Sequence, residues 1–226
     1  MTYSDALTYW FQDDEVIKKI GLAVLIQFIP LIGLLALGGW GFEIAKNVKA
    51  GNPAPLPDWS DFGGKIGKGF MLVLALLLYQ LPLLLVICVQ VAFTFGLAAV
   101  AGGGGEDAAG AFGLVGPIVI GCLSCLAIVY AIVASLVYQA GYIRYIETEE
   151  FSAFTGFGDN FSMFRENLGD FGMLILYFIV TGFIVGLLSG TFILGLLALP
   201  VQNAVNGHLL GQLARKLGGA SAVPAV

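Results

Sequence analysis

The stretch Asn52-Pro53-Ala54-Pro55-Leu56-Pro57-Asp58-Trp59-Ser60-Asp61-Phe62-Gly63-Gly64-Lys65-Ile66-Gly67-Lys68-Gly69-Phe70 separates two long apolar runs. Its prolines remove backbone donors and forbid a helix through the arm. An acidic and aromatic turn follows, and then a Lys- and Gly-rich run leads into apolar sequence. A counterpart stands about a hundred residues later, at residues 151–171. The rest of the chain reads as membrane helix arranged around these two polar insertions.

Of the 226 residues, 58% are hydrophobic and only 11% are charged. A soluble domain carries about a quarter of its residues as charged side chains. So much apolar surface makes a bilayer the natural solvent, and the length admits roughly four to six spanning helices. No basic tract points to nucleic acid. Cys88, Cys122 and Cys125 all lie in apolar runs, and an odd count there argues against a disulfide framework. The first residues are acidic and aromatic, unlike a cleavable signal peptide, so an internal span is expected to direct insertion.

Taken in order, residues 3–17 alternate aromatic and acidic side chains and read as a short interfacial helix, with Tyr9, Trp10 and Phe11 in the headgroup layer. Residues 20–42 form the first apolar run. Pro30 interrupts it, giving either one kinked span or two half-helices in a re-entrant hairpin. Further spans are expected at 69–100, within 112–142, at 171–188 and at 191–213, with a Gly-rich turn at 102–105. Residues 1–217 then make a single membrane domain and 218–226 a flexible tail.

Basic residues set the orientation. Lys46, Lys49, Lys65, Lys68, Arg144, Arg165, Arg215 and Lys216 fall on one side of these spans, which the positive-inside rule makes cytoplasmic. Lys18 and Lys19 join them if the first run is a hairpin and oppose them if it spans once. The layout also repeats. Ile20-Gly21 matches Ile120-Gly121, Gly41-Phe42 matches Gly141-Tyr142, Asp58-Trp59 aligns with Asp159-Asn160, and Phe70 aligns with Phe171. Units at about 20–100 and 120–200 share one orientation, which makes a parallel internal repeat. The fold class expected is all-α: a polytopic bundle of about five spans with two cytoplasmic interfacial amphipathic helices.

In the second insertion Phe151, Phe154, Phe157, Phe161, Phe164, Leu168 and Phe171 recur at spacings of three and four, one stripe of a helix. Trp59, Phe62, Ile66 and Phe70 repeat the pattern in the first, with Asp58 placed as N-cap and Lys65 and Lys68 near anionic headgroups. The aromatic faces are expected to contact lipid or a partner, or to cover the end of the bundle.

Leu-Pro, an acidic residue, Trp, Asp, an aromatic and Gly at 56–63, followed by Lys-Gly and an apolar span, resembles the signature of the DUF4013 family of prokaryotic membrane proteins. Ile29-Pro30 and His208-Leu209-Leu210-Gly211-Gln212 are similar to further patterns of that family. The resemblance covers most of the chain. It implies a fold and a place in the prokaryotic cell membrane, and no mechanism.

Residues with chemistry are few. Cys122 and Cys125 share a helix face but sit mid-span, where burial disfavours the thiolate, and read as packing groups. A metal site needs more ligands than the lone His208 offers. Gln202, Asn203, Asn206, His208 and Gln212 form the densest polar patch in apolar sequence, suited to hydrogen bonds between helices or to a solute. Gly182, Gly186 and Gly190, and Gly207 with Gly211, are spaced for close helix packing. Ionisable residues are missing from the span centres, where coupled transport places them. The expectation is a non-enzymatic membrane component without cofactor or metal: a subunit, scaffold, or assembly or lipid-organising factor. Its partners would be membrane lipids, other membrane proteins or its own copies. The alternative is a channel or facilitator for a small or lipophilic solute.

Overall fold

In the computed structural model, residues 1–103 and 105–220 are described; 85% of the chain is helical and no strand occurs among the described residues. The helices are α1 (Tyr3–Thr8), α2 (Val16–Ile26), α3 (Ile32–Ala50), α4 (Phe62–Gly103), α5 (Gly105–Thr148), α6 (Ser152–Thr155), α7 (Phe157–Glu166), α8 (Leu168–Leu188) and α9 (Phe192–Ala220), with a 3-10 turn at Tyr9–Gln12. The expected Gly-rich turn centres on Gly104, which lies outside the described residues, as does the expected tail beyond Ala220. Helix α9 continues through Gly218 into that tail segment.

Among the described residues three helices are long and apolar enough to cross a membrane: Phe62–Gly96, Gly116–Thr148 and Leu168–Leu188. Only 6% of the most apolar window in Gly116–Thr148 is buried within the chain. Leu85, Phe95, Leu126, Phe183 and Leu187 stand exposed on these helices. Contiguous apolar faces of this extent need an apolar solvent.

The chain divides into two compact units, one built from Met1–Ala75 with the chain from Gln139 onward, the other from Leu76–Tyr138. In the second, Gln90 Nε2 donates to Ser124 Oγ at 3.1 Å, and the Tyr130 hydroxyl donates to Tyr79 O at 2.7 Å, one turn before Pro82. Cys88, Cys122 and Cys125 are exposed and unpaired rather than packed inside the chain.

The first unit is organised around α3. Leu37, Trp40, Phe42, Ile44 and Ala45 on this helix are fully buried. Small residues let neighbouring backbones approach it on two sides. A Cβ on Gly39 would strike Lys65 O of α4, and one on Gly69 of α4 would strike Leu35 O. On the other side, a Cβ on Gly207 of α9 would strike Gly41 O, and one on Gly211 would lie 2.5 Å from Ala45 O. The end of α5 closes a third side, with Tyr145 4.9 Å and Tyr142 5.8 Å from Phe42 between ring centres. Helix α3 stops at Gly51, whose φ of +79° suits glycine. The Asn52 amide bonds Asn47 O and the Gly51 amide bonds Val48 O, the paired bonds of a Schellman motif.

The open choice at Pro30 resolves into two helices. Helix α2 has 11 residues, about 16 Å at 1.5 Å per residue, too short for a bilayer core. Trp59 Nε1 donates to Lys19 O at 2.9 Å while the Trp59 ring stacks on Trp40 at 5.7 Å. Lys19 precedes the end of α2 by a stretch similar to that by which Trp40 follows the start of α3, so the two helices run antiparallel as a hairpin. At its tip Leu31 has φ 60° and ψ −53°, and the Ile32 amide reaches back to Pro30 O at 2.6 Å. This is the rare, strained form of γ-turn. A Cβ on Gly33 would strike Ile26 O, so the tip also needs glycine there.

The Leu31 side chain is 79% exposed, so it contributes little packing against that strain. Leu31→Gly is expected to stabilise the protein by about 1 kcal/mol through strain relief. Thermal unfolding in detergent reads this as a raised midpoint; a lowered one contradicts a strained tip. Gly207→Leu should abolish the folded, monodisperse species on size-exclusion chromatography, since overpacking against backbone exceeds the usual cost of about 1–3 kcal/mol. Gly186→Leu should be tolerated, because nothing lies within 4 Å of a Cβ at Gly186.

Candidate functional site

The polar insertions and helix ends of the first unit form one charged and aromatic region. Its first component follows from the Pro-rich arm. Prolines leave that arm without a backbone ladder, and its carbonyls need other donors. Asn47 Nδ2 donates to Pro55 O at 3.0 Å, Lys19 Nζ to Leu56 O at 3.0 Å and Trp40 Nε1 to Pro57 O at 3.0 Å. Lys19 also pairs with the buried Asp13 at 2.7 Å. The arm thus straps the base of the hairpin, and Trp59 is its anchor, stacked on Trp40.

Asp58 does not cap α4. Its Oδ1 accepts from the Ser60 amide at 3.0 Å and the Ser60 hydroxyl at 2.6 Å, and those bonds hold its carboxyl below the usual range. The cap is Asp61, whose Oδ1 accepts from the Gly64 amide at 2.9 Å. Lys65 does not reach for headgroups either. Its side chain is 2% exposed and pairs with Glu43 Oε2 at 2.7 Å, while Lys68, one turn further on, reaches Glu43 Oε1 at 3.3 Å. Both ammonium groups lie over rings, Lys65 5.9 Å from Trp59 and Lys68 5.6 Å from Phe42.

The second insertion is fastened by Arg144. Its guanidinium donates to Asn160 Oδ1 at 2.8 Å and to Asp159 Oδ2 at 3.1 Å, and the fully buried Asn160 donates to Ala153 O at 2.9 Å. Glu149 ends α5 with φ +53° and pairs with Lys46, which holds its carboxyl below the usual range. That pair therefore contributes above the ordinary carboxylate pKa, and its contribution fades as pH falls through the lowered value. Lys49 pairs with Glu147 at 2.7 Å and Lys216 with Asp170 at 2.5 Å.

The aromatic stripe is not one helix face. Breaks at Gly156 and Asn167 divide it among α6, α7 and α8. Phe154 is fully buried, 5.2 Å from Tyr145, and Phe171 is buried against Phe164 at 5.7 Å. Phe157, Phe161 and Leu168 are the members that stand about half exposed or more. Phe62, Ile66 and Phe164 are half-buried.

The N-terminal segment does not lie free as an interfacial helix; Tyr9 and Trp10 are buried and only Phe11 of that trio is exposed. The segment docks on the polar patch of α9. Gln212 accepts from the Thr2 amide at 2.6 Å and donates to Thr2 O at 3.0 Å and to His208 Nδ1 at 3.1 Å. Tyr9 stacks on His208 at 4.4 Å and donates to Ala204 O at 3.2 Å; burial pushes its phenol pKa up. Tyr3 meets Thr181 at 3.0 Å and stacks on Tyr177. Elsewhere in the patch, Asn203 donates to Leu199 O, Gln202 is half-buried, and Asn206 Oδ1 is buried without a hydrogen-bond partner among the described residues. Gly207 and Gly211 face α3. No atom stands within 4 Å of a Cβ at Gly182 or Gly186, and Gly190 meets Leu187 O at 3.2 Å.

Sequence reasoning missed Glu43 altogether, and it named Lys19, Arg144 and Tyr9 as orientation charges and an interfacial ring without the contacts they make. Glu43 is the lone carboxylate in α3, and Lys65 and Lys68 share a helix face, which is the signal that could have paired them. Among the described residues no group of three or more His, Cys, Asp and Glu could hold a metal ion. Glu43→Gln should destabilise the protein by about 3–5 kcal/mol, because it leaves Lys65 buried and uncompensated. Combining Glu43→Leu with Lys65→Met should recover most of that loss in thermal unfolding. A double variant no better than the single one contradicts a desolvation penalty as the cause.

Among curated proteins and among solved structures, nothing matches the chain. The model of a family described as "Protein of unknown function (DUF4013)" matches residues 22–197, which is most of the chain. The protein belongs to the DUF4013 family.

Proposed function

We propose that the protein is a non-enzymatic, multi-pass component of a prokaryotic inner membrane, serving as a subunit, scaffold or lipid-organising part of a membrane complex. The α2–α3 hairpin, α4, α5, α8 and α9 would be its five embedded segments. The charged and aromatic region would face the cytoplasm. All ten Lys and Arg residues lie in the first compact unit and none in Leu76–Tyr138, which supports that orientation. The shared order of helix exit, polar insertion and apolar helix, α3 to α4 and α5 to α8, supports a parallel internal repeat.

One observation carries the role. Helix α7 is held from beneath by Arg144 through Asp159 and Asn160, while Phe157 and Phe161 project outward, each nearly half exposed. A rigid mount that presents apolar rings beside the exposed Arg165 fits contact with the inner leaflet or a membrane partner. Most charges around it are already paired within the chain. A second reading, a facilitator for a small solute, is favoured by Asn206 Oδ1, a buried carboxamide oxygen with no hydrogen-bond partner among the described residues.

Gentle solubilisation of native membranes tests the role. The chain, 23.8 kDa alone, should elute in a larger assembly with defined companions. The double variant Phe157→Ser, Phe161→Ser should remain folded and lose them. A chain that elutes alone, and that conducts solute in proteoliposomes until Asn206→Ala stops the flux, contradicts the scaffold role and supports the facilitator.

A further inference from the structure

Between the N-terminal segment, the end of α3 and α9 lies a cavity of about 250 Å³, whose walls include Asp5, Tyr9, Asn52, His208, Gln212 and Arg215. Its donors are set by the packing described above. The Thr2 amide requires Gln212 Oε1 and the Thr2 carbonyl requires Gln212 Nε2, so the side-chain amide has one orientation. The remaining Gln212 N–H meets His208 Nδ1, which therefore accepts, and the imidazole proton resides on Nε2. His208 is 7% exposed, and the contact at Nδ1 is its one side-chain hydrogen bond among the described residues.

Two charges complete the cavity. The Arg215 guanidinium lies beside Gly51, 3.9 Å from the position of a Cβ there, and Asp5 accepts only from the Ser4 hydroxyl at 3.4 Å. Neither enters an ion pair among the described residues, with each other or with any other group. In the same unit Lys18, Lys19, Lys46, Lys49, Lys65, Lys68, Arg144 and Lys216 are all paired, and Arg165 on α7 is the other cation outside an ion pair among the described residues. A cavity with an exposed unpaired cation and an exposed unpaired carboxylate at its rim, and a neutral N–H donor at a floor of buried Tyr9, Val48, His208 and Gln212, is mismatched to a simple anion, which Asp5 repels. It is equally mismatched to a simple cation, which Arg215 repels.

The geometry points to a binding site for a phosphoethanolamine group, with phosphate oxygens on Arg215 and His208 Nε2–H and the ammonium on Asp5. The guanidinium fork suits two phosphate oxygens. Two sources carry this group: the head of phosphatidylethanolamine, or a free solute such as glycerophosphoethanolamine. The lipid source rests on the membrane reading above; the cavity chemistry does not.

The full chain, purified in a sugar-based detergent free of phospholipid, allows the test. Calorimetric titration with glycerophosphoethanolamine gives the solute arm, and native mass spectrometry after addition of phosphatidylethanolamine or phosphatidylglycerol gives the lipid arm. Arg215→Gln and Asp5→Asn alter exposed side chains, and unchanged thermal midpoints without ligand confirm intact folding. Retention of phosphatidylethanolamine over phosphatidylglycerol, weakened about tenfold by either variant, supports a headgroup site. Binding of glycerophosphoethanolamine with the same two losses, and no lipid preference, supports the same site filled by a free solute. Equal retention of both lipids, unaffected by either variant and without solute binding, overturns the assignment. Tighter inorganic phosphate binding in Asp5→Asn, with no ethanolamine preference in the native chain, also overturns it. Because the soluble probe needs no bilayer, its failure and that of the membrane reading are read separately.

Discussion

The close approach of backbones to α3 is the constraint on which the rest of the first unit depends. Gly39 and Gly69 bring α3 and α4 together, and Gly41, Gly207 and Gly211 bring α3 and α9 together. At this separation a single methyl group cannot be inserted without moving a helix. In return, the backbones gain dispersion contacts along their length, which is the main attraction available between helices when lipid competes for apolar side chains. Helix α3 thereby becomes the buried axis of a chain whose longest helices expose apolar faces.

That axis also positions the polar region. Glu43, one turn beyond Gly39 on α3, is held at α4 by the same crossing that sets Gly39 against Lys65 and Gly69 against Leu35, so Lys65 and Lys68 reach it from adjacent turns. Trp40 lies at the level of the Pro-rich arm and takes one of its unpaired carbonyls. The crossing with α9 brings His208 and Gln212 against the N-terminal segment, where the Thr2 backbone takes the place of a partner helix. The strap, the ion triad and the clasp therefore follow from one packing arrangement. The aromatic mount on α7 is separate, and depends on Arg144 at the end of α5.

The sequence was most legible where one physical term dominates. Uninterrupted apolar stretches gave the long helices, and the expected span at 171–188 nearly coincides with α8. Family membership was legible in the motif at 56–63. It was least legible where two residue roles are chemically equivalent. Asp58 and Asp61 are both competent caps, and only the geometry of the turn assigns the cap to Asp61. A lysine before an apolar helix serves a headgroup as well as a buried carboxylate, and Glu43 lies too far away in sequence to announce the pair. The three-four spacing of phenylalanines does not reveal that Gly156 and Asn167 break the helix between them. Glycine spacing likewise marks Gly182 with Gly186 as strongly as Gly207 with Gly211, although within this chain the latter two meet another backbone and the former two do not.

The proposed membrane placement depends most on the hairpin of α2 and α3, because with it Lys18 and Lys19 would lie on the side of the other basic residues. Its direct test is accessibility labelling after Cys88, Cys122 and Cys125 are replaced by serine. Single cysteines introduced as Asp14→Cys and as Ser60→Cys, both exposed positions, are reacted with an impermeant maleimide in right-side-out and inverted membrane vesicles. Labelling of both from the cytoplasmic face alone is the expected result. Labelling of the two positions from opposite faces would mean that residues 20–42 cross the bilayer once, and would contradict the account.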